Sequence, residues 1–136
     1  MMAAKARLFG DAEALAAILA APTPRAAKAL GRAVRGYDDA AWRAVARDVV
    51  YAASRAKFEA HPDLRAALLA TAGTALVEAS PEDAVWGIGL RAEDPDAGDR
   101  ARWRGTNWLG EVLTRLRDDL LAAERAGNAL GPAAGV

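Results

Sequence analysis

Glu78-Ala79-Ser80-Pro81-Glu82-Asp83-Ala84-Val85-Trp86-Gly87-Ile88-Gly89 is the stretch on which the fold class turns. Read as a helix start, it has Ser80 at the N-cap, Pro81 at the first helical position and Asp83 in the first turn. Read as a loop, it follows a strand-like run (Ala75, Leu76, Val77) and gives a mainly α chain with a small β element. Gly87 and Gly89 decide for the loop, because they end any helix within about two turns. A cap with so little helix behind it points to another use. Carboxylates, an indole and glycines this close together compose a ligand-gripping loop. The acids supply proton transfer, the ring stacks a heterocycle, and the glycines admit close backbone approach.

Outward from this loop the pattern is helical. Met2, Ala6 and Phe9 recur at helical spacing, and Gly10-Asp11 ends that helix and starts another carrying Leu15, Ile18 and Leu19, which stops at Pro22. A third helix is expected from about Thr23 to Val34. Asp38 then caps the longest, about residues 39 to 60, with Trp42, Val45, Ala46, Val49 and Ala53 as its buried face. Pro62 opens a short helix through Leu68 and Leu69, and Thr74 to Glu78 is the strand candidate. Residues 91 to 105 read as a polar loop with turn chemistry at Asp94-Pro95-Asp96-Ala97-Gly98. The last helix is expected from about Trp108 to Arg125, with Leu109, Val112, Leu113, Leu116 and Leu120 inward. One domain over 1–126 and a flexible Gly/Pro-rich tail over 127–136 complete the expected layout.

Composition excludes several classes. Lys plus Arg and Asp plus Glu are 18 each in 136 residues, so no basic excess supports general nucleic-acid binding. With no cysteine and one histidine, His61, neither disulfides nor a thiolate or multi-histidine metal site is expected. No cofactor is called for. No apolar run approaches membrane length and no signal-peptide pattern opens the chain, so a cytoplasmic protein is expected.

Individual residues divide between structural and chemical readings. Asp83 is either a cap or an acid of the loop, and Trp86 either core or a stacking platform. Trp42 lies on an apolar helix face and reads as core. Lys5, beside the stripe of the first helix, is a solvated lysine, a phosphate anchor, or an amine nucleophile if burial lowers its pKa. Asn107 reads as an N-cap. Arg32 and Arg35, three apart at a helix end, can meet a phosphate or solvent. Glu78 closes the strand candidate as a contact or supporting carboxylate. His61 reads as a helix-end residue and Glu82 as a solvated acid.

Three segments carry a family resemblance: His61-Pro-Asp-Leu-Arg-Ala-Ala-Leu-Leu-Ala-Thr71, Leu76-Val-Glu-Ala-Ser-Pro-Glu-Asp-Ala-Val-Trp-Gly-Ile-Gly-Leu90, and Trp103-Arg-Gly-Thr-Asn-Trp-Leu-Gly110. Together with Lys5-Ala6, Phe9-Gly10-Asp11, Gly31-Arg32 to Tyr37-Asp38, Trp42 and Arg55-Ala56-Lys57-Phe58, they resemble the NADAR family, whose bacterial members include YbiA-like N-glycosidases. The resemblance runs in order from residue 1 to about 121. It implies a YbiA-like single domain that hydrolyses the ribose C1–N bond of phosphoribosylamino-pyrimidine intermediates of riboflavin biosynthesis, giving ribose 5-phosphate and an aminopyrimidine. Two alternatives stand beside it. One is an ADP-ribosyl-guanine hydrolase, the only reading that brings in nucleic acid. The other is an inactive ligand-binding remnant.

The resemblance also implies roles. Asp83 and Lys5 become the catalytic candidates, and Trp42, Trp86, Gly87, Asn107, Glu78, Arg32 and Arg35 the substrate-binding ones. The family pattern opens earlier than this chain, with a Phe-Ser-Asn-Phe-like run and a Glu-His-Tyr or Glu-Gln-Tyr step whose glutamate looks catalytic. No residue here takes its place, and Met1-Met2 matches the interior of the family's first helix. A domain incomplete at its start is therefore expected.

Overall fold

The structure, a computed structural model, describes residues 1–129. It contains two compact units, Met1–Ala53 and Ser54–Val136. In order the helices are α1 (Met2–Leu8), α2 (Ala12–Leu19), α3 (Pro24–Arg32), α4 (Asp39–Ala60), α5 (Pro62–Leu69) and α6 (Trp108–Ala129), with one 3-10 turn at Arg100–Arg102.

In the first unit, α1, α2 and α3 each pack against the other two, around Ala6, Ile18 and Val34. Their ends are set locally. Gly10, at φ +69°, closes α1 with the Gly10 N–H on Arg7 O and the Asp11 N–H on Ala6 O, the two bonds of a glycine C-cap. Asp11 then caps α2 by accepting the Ala14 N–H at 3.0 Å, and Thr23 caps α3 by accepting that of Ala26 at 3.1 Å. Gly31 lets α1 approach α3, since a Cβ there would collide with the Met2 side chain.

Asp38 starts α4 as its sequence predicts, accepting the Ala41 N–H at 2.7 Å. The buried stripe differs from the expected one. Trp42, Ala46, Val50 and Phe58 are buried, Val45 and Val49 only half so, and Ala53 is exposed. Over six turns a run at steps of four drifts around the helix relative to a mixed three-and-four pattern, which moves burial from Ala53 to Val50 and Phe58.

In the second unit α5 packs on α6 around Leu68, Val112, Leu116 and Leu120, while Leu109 and Leu113 are half-buried. Arg117, 3% exposed, ties α6 to the turn after α5 by donating to Thr71 O and Thr74 O, both at 2.8 Å. Two expectations are corrected. Among the described residues there is no strand, so Thr74–Glu78 is not a β element. Its partner is a side chain: Asn107 Nδ2 donates to Leu76 O at 2.9 Å and Oδ1 accepts the Glu78 N–H at 3.0 Å, as a neighbouring strand's peptide would. Turns at residues 81–82 and 84–86 agree with the loop reading of this stretch, and Ser80 starts no helix. Finally, α6 continues to Ala129, so residues 127–129 of the expected tail are helical; 130–136 lie outside the described residues.

Candidate functional site

The loop of residues 78–89 is held by the chain that leads into α6. The N–H groups of Arg104, Thr106, Asn107, Trp108 and Leu109 donate to the carbonyls of Ile88, Ala84, Gly87, Val85 and Trp86 respectively, over 2.8–3.1 Å. Thr106 Oγ1 adds a bond to Val85 O at 2.6 Å. Those carbonyls thus satisfy the first donors of α6, which a helix start otherwise leaves open. Gly105 permits the contact, because a Cβ there would meet Gly87 O and lie 2.9 Å from Ala84 Cα. Asn107 turns the chain at φ +54°, a left-handed value that asparagine tolerates better than most side chains.

Asp83 organises the tip. Its Oδ1 accepts the Val85 N–H at 3.0 Å and the Trp86 N–H at 2.7 Å, a capped turn with one carboxylate oxygen. Trp86 is half-buried and meets Trp108 edge-to-face, ring centroids 5.6 Å apart at 89°. Gly87 is buried, and a Cβ on it would come within 2.8 Å of Asp83 O and 2.9 Å of Glu78 O. Its lack of a side chain is therefore needed for the loop to close on itself. The Glu78 backbone accepts from Ser80 and Ile88, and its exposed side chain lines a 340 Å³ groove with Lys57, Phe58, Val77, Leu109 and Leu113. A larger cleft of 560 Å³ shares Leu76 and Val77 with it and has Trp103, Arg100, Asn107, Glu111 and Thr114 on its wall. Asn107 is no side-chain cap, since its amide is spent on Leu76 and Glu78.

The first unit gathers a different set. Lys5 is half-buried and donates from Nζ to Gly31 O at 2.9 Å, in the last turn of α3, where a cation complements the helix dipole. Its ammonium lies 4.0 Å from the centre of the Tyr37 ring. Tyr37 in turn forms a T-shaped pair with Phe9, and its hydroxyl donates to Asp39 Oδ1 at 2.7 Å. Burial pushes the Lys5 amine below the usual lysine range, and the charge of Asp39 opposes that push. Asp39 itself is held below the usual carboxylate range by the Tyr37 hydroxyl and by Arg43, 2.6 Å from Oδ2.

Trp42 is 8% exposed and sits among the buried residues of α4. Arg32 is exposed at the end of α3. Arg35 is engaged by Asp11 and Glu13, at 3.0 Å each, and with its N–H it holds Asp11 far below the usual carboxylate range. Its guanidinium thus already has carboxylate partners. His61 occupies the N-cap position of α5 without a side-chain cap bond. Among the described residues no three His, Asp or Glu side chains gather closely enough to hold a metal ion. The sequence reading brought Lys5 forward but missed Tyr37 and Asp39. An aromatic and an acid two residues apart at a helix start were the available signal.

The chain belongs to the NADAR domain family, whose profile matches residues 1–121. It is 40% identical over 119 residues to N-glycosidase R617 of Acanthamoeba polyphaga mimivirus, covering 88% of this chain and 70% of that protein. Against Protein irg-1 of Caenorhabditis elegans the identity is 42% over 118 residues, 85% of this chain and 56% of the relative. N-glycosidase YbiA of Escherichia coli K12 is 43% identical over 79 residues, 58% of this chain and 42% of that protein. The chain thus spans little more than half of the nematode relative and less than half of the bacterial one. No helix among the described residues is long and apolar enough to cross a membrane.

Proposed function

We propose that the chain is an N-glycosidase acting on the ribose C1–N bond of phosphoribosylamino-pyrimidines, releasing ribose 5-phosphate and an aminopyrimidine. Two relatives named N-glycosidase support the bond class. A chloroplastic riboflavin biosynthesis protein of Zea mays, 36% identical over 117 residues, supports the substrate class. The observation that carries the reading is Lys5, a half-buried amine whose burial favours the neutral, nucleophilic form.

In this reading the Lys5 amine adds to C1 of the ring-opened sugar. The C1–N bond to the pyrimidine breaks, its electron pair and a proton leave with the amine of the base, and an iminium joins Lys5 to C1. Water then adds to C1, and loss of the Lys5 amine returns the aldehyde of ribose 5-phosphate. Asp83 is the acid candidate of the second unit, through the Oδ2 that its turn does not use, and Trp86, beside Trp108, is that unit's candidate aromatic face. In the first unit Arg32 is assigned to the phosphate. Trp42, Gly87, Asn107 and Glu78 act by shaping the walls and the loop. Arg35 has the weakest claim, since Asp11 and Glu13 already hold it.

The test is release of ribose 5-phosphate from a phosphoribosylamino-pyrimidine, with borohydride added during turnover. A reduced sugar adduct on the Lys5 peptide supports the reading. Release without an adduct overturns the role of Lys5 and keeps the bond class. An ADP-ribosyl-guanine nucleotide cleaved in place of the pyrimidine substrate reassigns the substrate. Binding without cleavage of either leaves a ligand-binding module.

A further inference from the structure

The surroundings of Lys5 are themselves ionisable. α1 supplies the amine and α3 the Gly31 carbonyl that fixes one of its N–H groups at 2.9 Å. The segment between α3 and α4 supplies the ring beneath it, 4.0 Å from Nζ. Two further contacts fix that ring. Phe9 meets it in a T-shaped pair with centroids 5.5 Å apart, and the hydroxyl is anchored on Asp39 at 2.7 Å. Gly36, at φ +71°, makes the turn that brings Tyr37 to this position. A surface tyrosine with no task needs neither anchor, and Tyr37 remains 44% exposed even so.

We propose that Tyr37 and Asp39 are positioning residues for Lys5: the ring seats the amine from one side, and the Asp39 carboxylate, tied to the ring by its hydroxyl, holds that seat in place. The proposal deepens the N-glycosidase reading and rests on Lys5 being its nucleophile. A lysine held by one carbonyl alone swings about its long stem. Here a second contact fixes the direction of the amine without consuming a further N–H. The nearby charges are few. Arg43 pairs with Asp39 through Oδ2, Arg7 follows on α1, Arg32 ends α3, and Arg35 follows α3 and is bound by Asp11 and Glu13. Asp38 precedes Asp39 and caps α4.

Both the ring and the carboxylate favour the ammonium over the neutral amine, so removing either lowers the Lys5 midpoint. The experiment labels the three lysines of the intact chain with 13C at Cε and follows their titration by NMR, the Lys5 signal being assigned with Lys5→Arg. In the wild type Lys5 titrates below the usual lysine range, because it is partly buried. Tyr37→Leu and Asp39→Asn each lower it further, by about half a pH unit. Asp39→Asn can still accept from the hydroxyl and so keeps the local fold. Should Tyr37→Leu fail to fold, Asp39→Asn decides alone.

The kinetic arm reads the same groups. Because the neutral amine attacks, kcat/KM rises with pH through the Lys5 midpoint. In Asp39→Asn that rising limb moves to lower pH. A merely structural role reduces the rate at every pH and leaves the limb in place, which overturns the proposal, as do identical Lys5 midpoints in wild type and variants. Shifted midpoints in a chain that cleaves no substrate sink the N-glycosidase reading while leaving the seat of Lys5 standing.

Discussion

The short helices of residues 2–32 and the irregular chain of residues 70–107 are held by opposite means. Each of the helices α2 and α3 begins on a side chain three residues from its partner N–H, Asp11 to Ala14 and Thr23 to Ala26. The irregular chain is held by partners far apart in sequence. Thr106 Oγ1 reaches Val85, Asn107 reaches Leu76 and Glu78, and Arg117 reaches Thr71 and Thr74. Local capping fixes where a helix starts. Distant pairing fixes where a loop sits, and a loop that displays an acid and an indole needs the second kind.

That contrast predicts unequal sensitivity to single changes. The largest effect is expected at Gly110, where a Cβ would strike Leu76 O and the Asn107 amide. Gly110→Val should cost about 3 kcal/mol or more, as overpacking against backbone does. Chemical denaturation measures it, and a variant as stable as the wild type would show that residues 75–78 can lift off α6. Asn107→Ala comes next, leaving Leu76 O and the Glu78 N–H without partners, at roughly 2–4 kcal/mol for the two groups. Hydrogen exchange at Glu78 should accelerate in that variant, while Ala14 and Ala26 in the capped helices keep their protection. Uniform acceleration at all three would erase the distinction between the regions.

Asp83→Asn separates chemistry from structure within the loop. Asparagine retains an Oδ1 to accept from Val85 and Trp86, so melting should change little, whereas turnover should fall about a hundredfold. Wild-type turnover would leave Asp83 as a turn cap alone. In the first unit the smaller test is pH. Arg35 holds the Asp11 carboxyl below its ordinary value, so the stability it adds is present above the unfolded carboxylate pKa of about 4. That contribution is lost as pH falls through the lower folded value. Asp11→Asn should therefore be less stable than wild type at neutral pH, with the gap closing on acidification. A gap independent of pH would show that the carboxylate charge plays no part.

The same contrast explains what the sequence disclosed. Helix starts at Asp11, Thr23, Asp38 and Pro62 were legible because cap and capped residue are neighbours. The stripe of α4 was half legible, since periodicity names a face but not the side to which it drifts. Residues 74–78 read as a strand because Ala75, Leu76 and Val77 suit one, yet their partner is a side chain 29 to 31 residues away, which no local pattern records. Lys5 stood out as one of three lysines, but its companions Tyr37 and Asp39 join it only when α1 meets the end of α3. Gly87 was read for its approach to a ligand, and the turn packed against it gives a structural reason for the glycine.

The most direct measurement follows ribose 5-phosphate release from a phosphoribosylamino-pyrimidine by the folded 136-residue chain, beside its Lys5→Met variant. The account predicts release above the spontaneous rate in the wild type and its loss in the variant, with both chains equally helical by circular dichroism. Wild-type release no faster than buffer, or release undiminished in Lys5→Met, would contradict it.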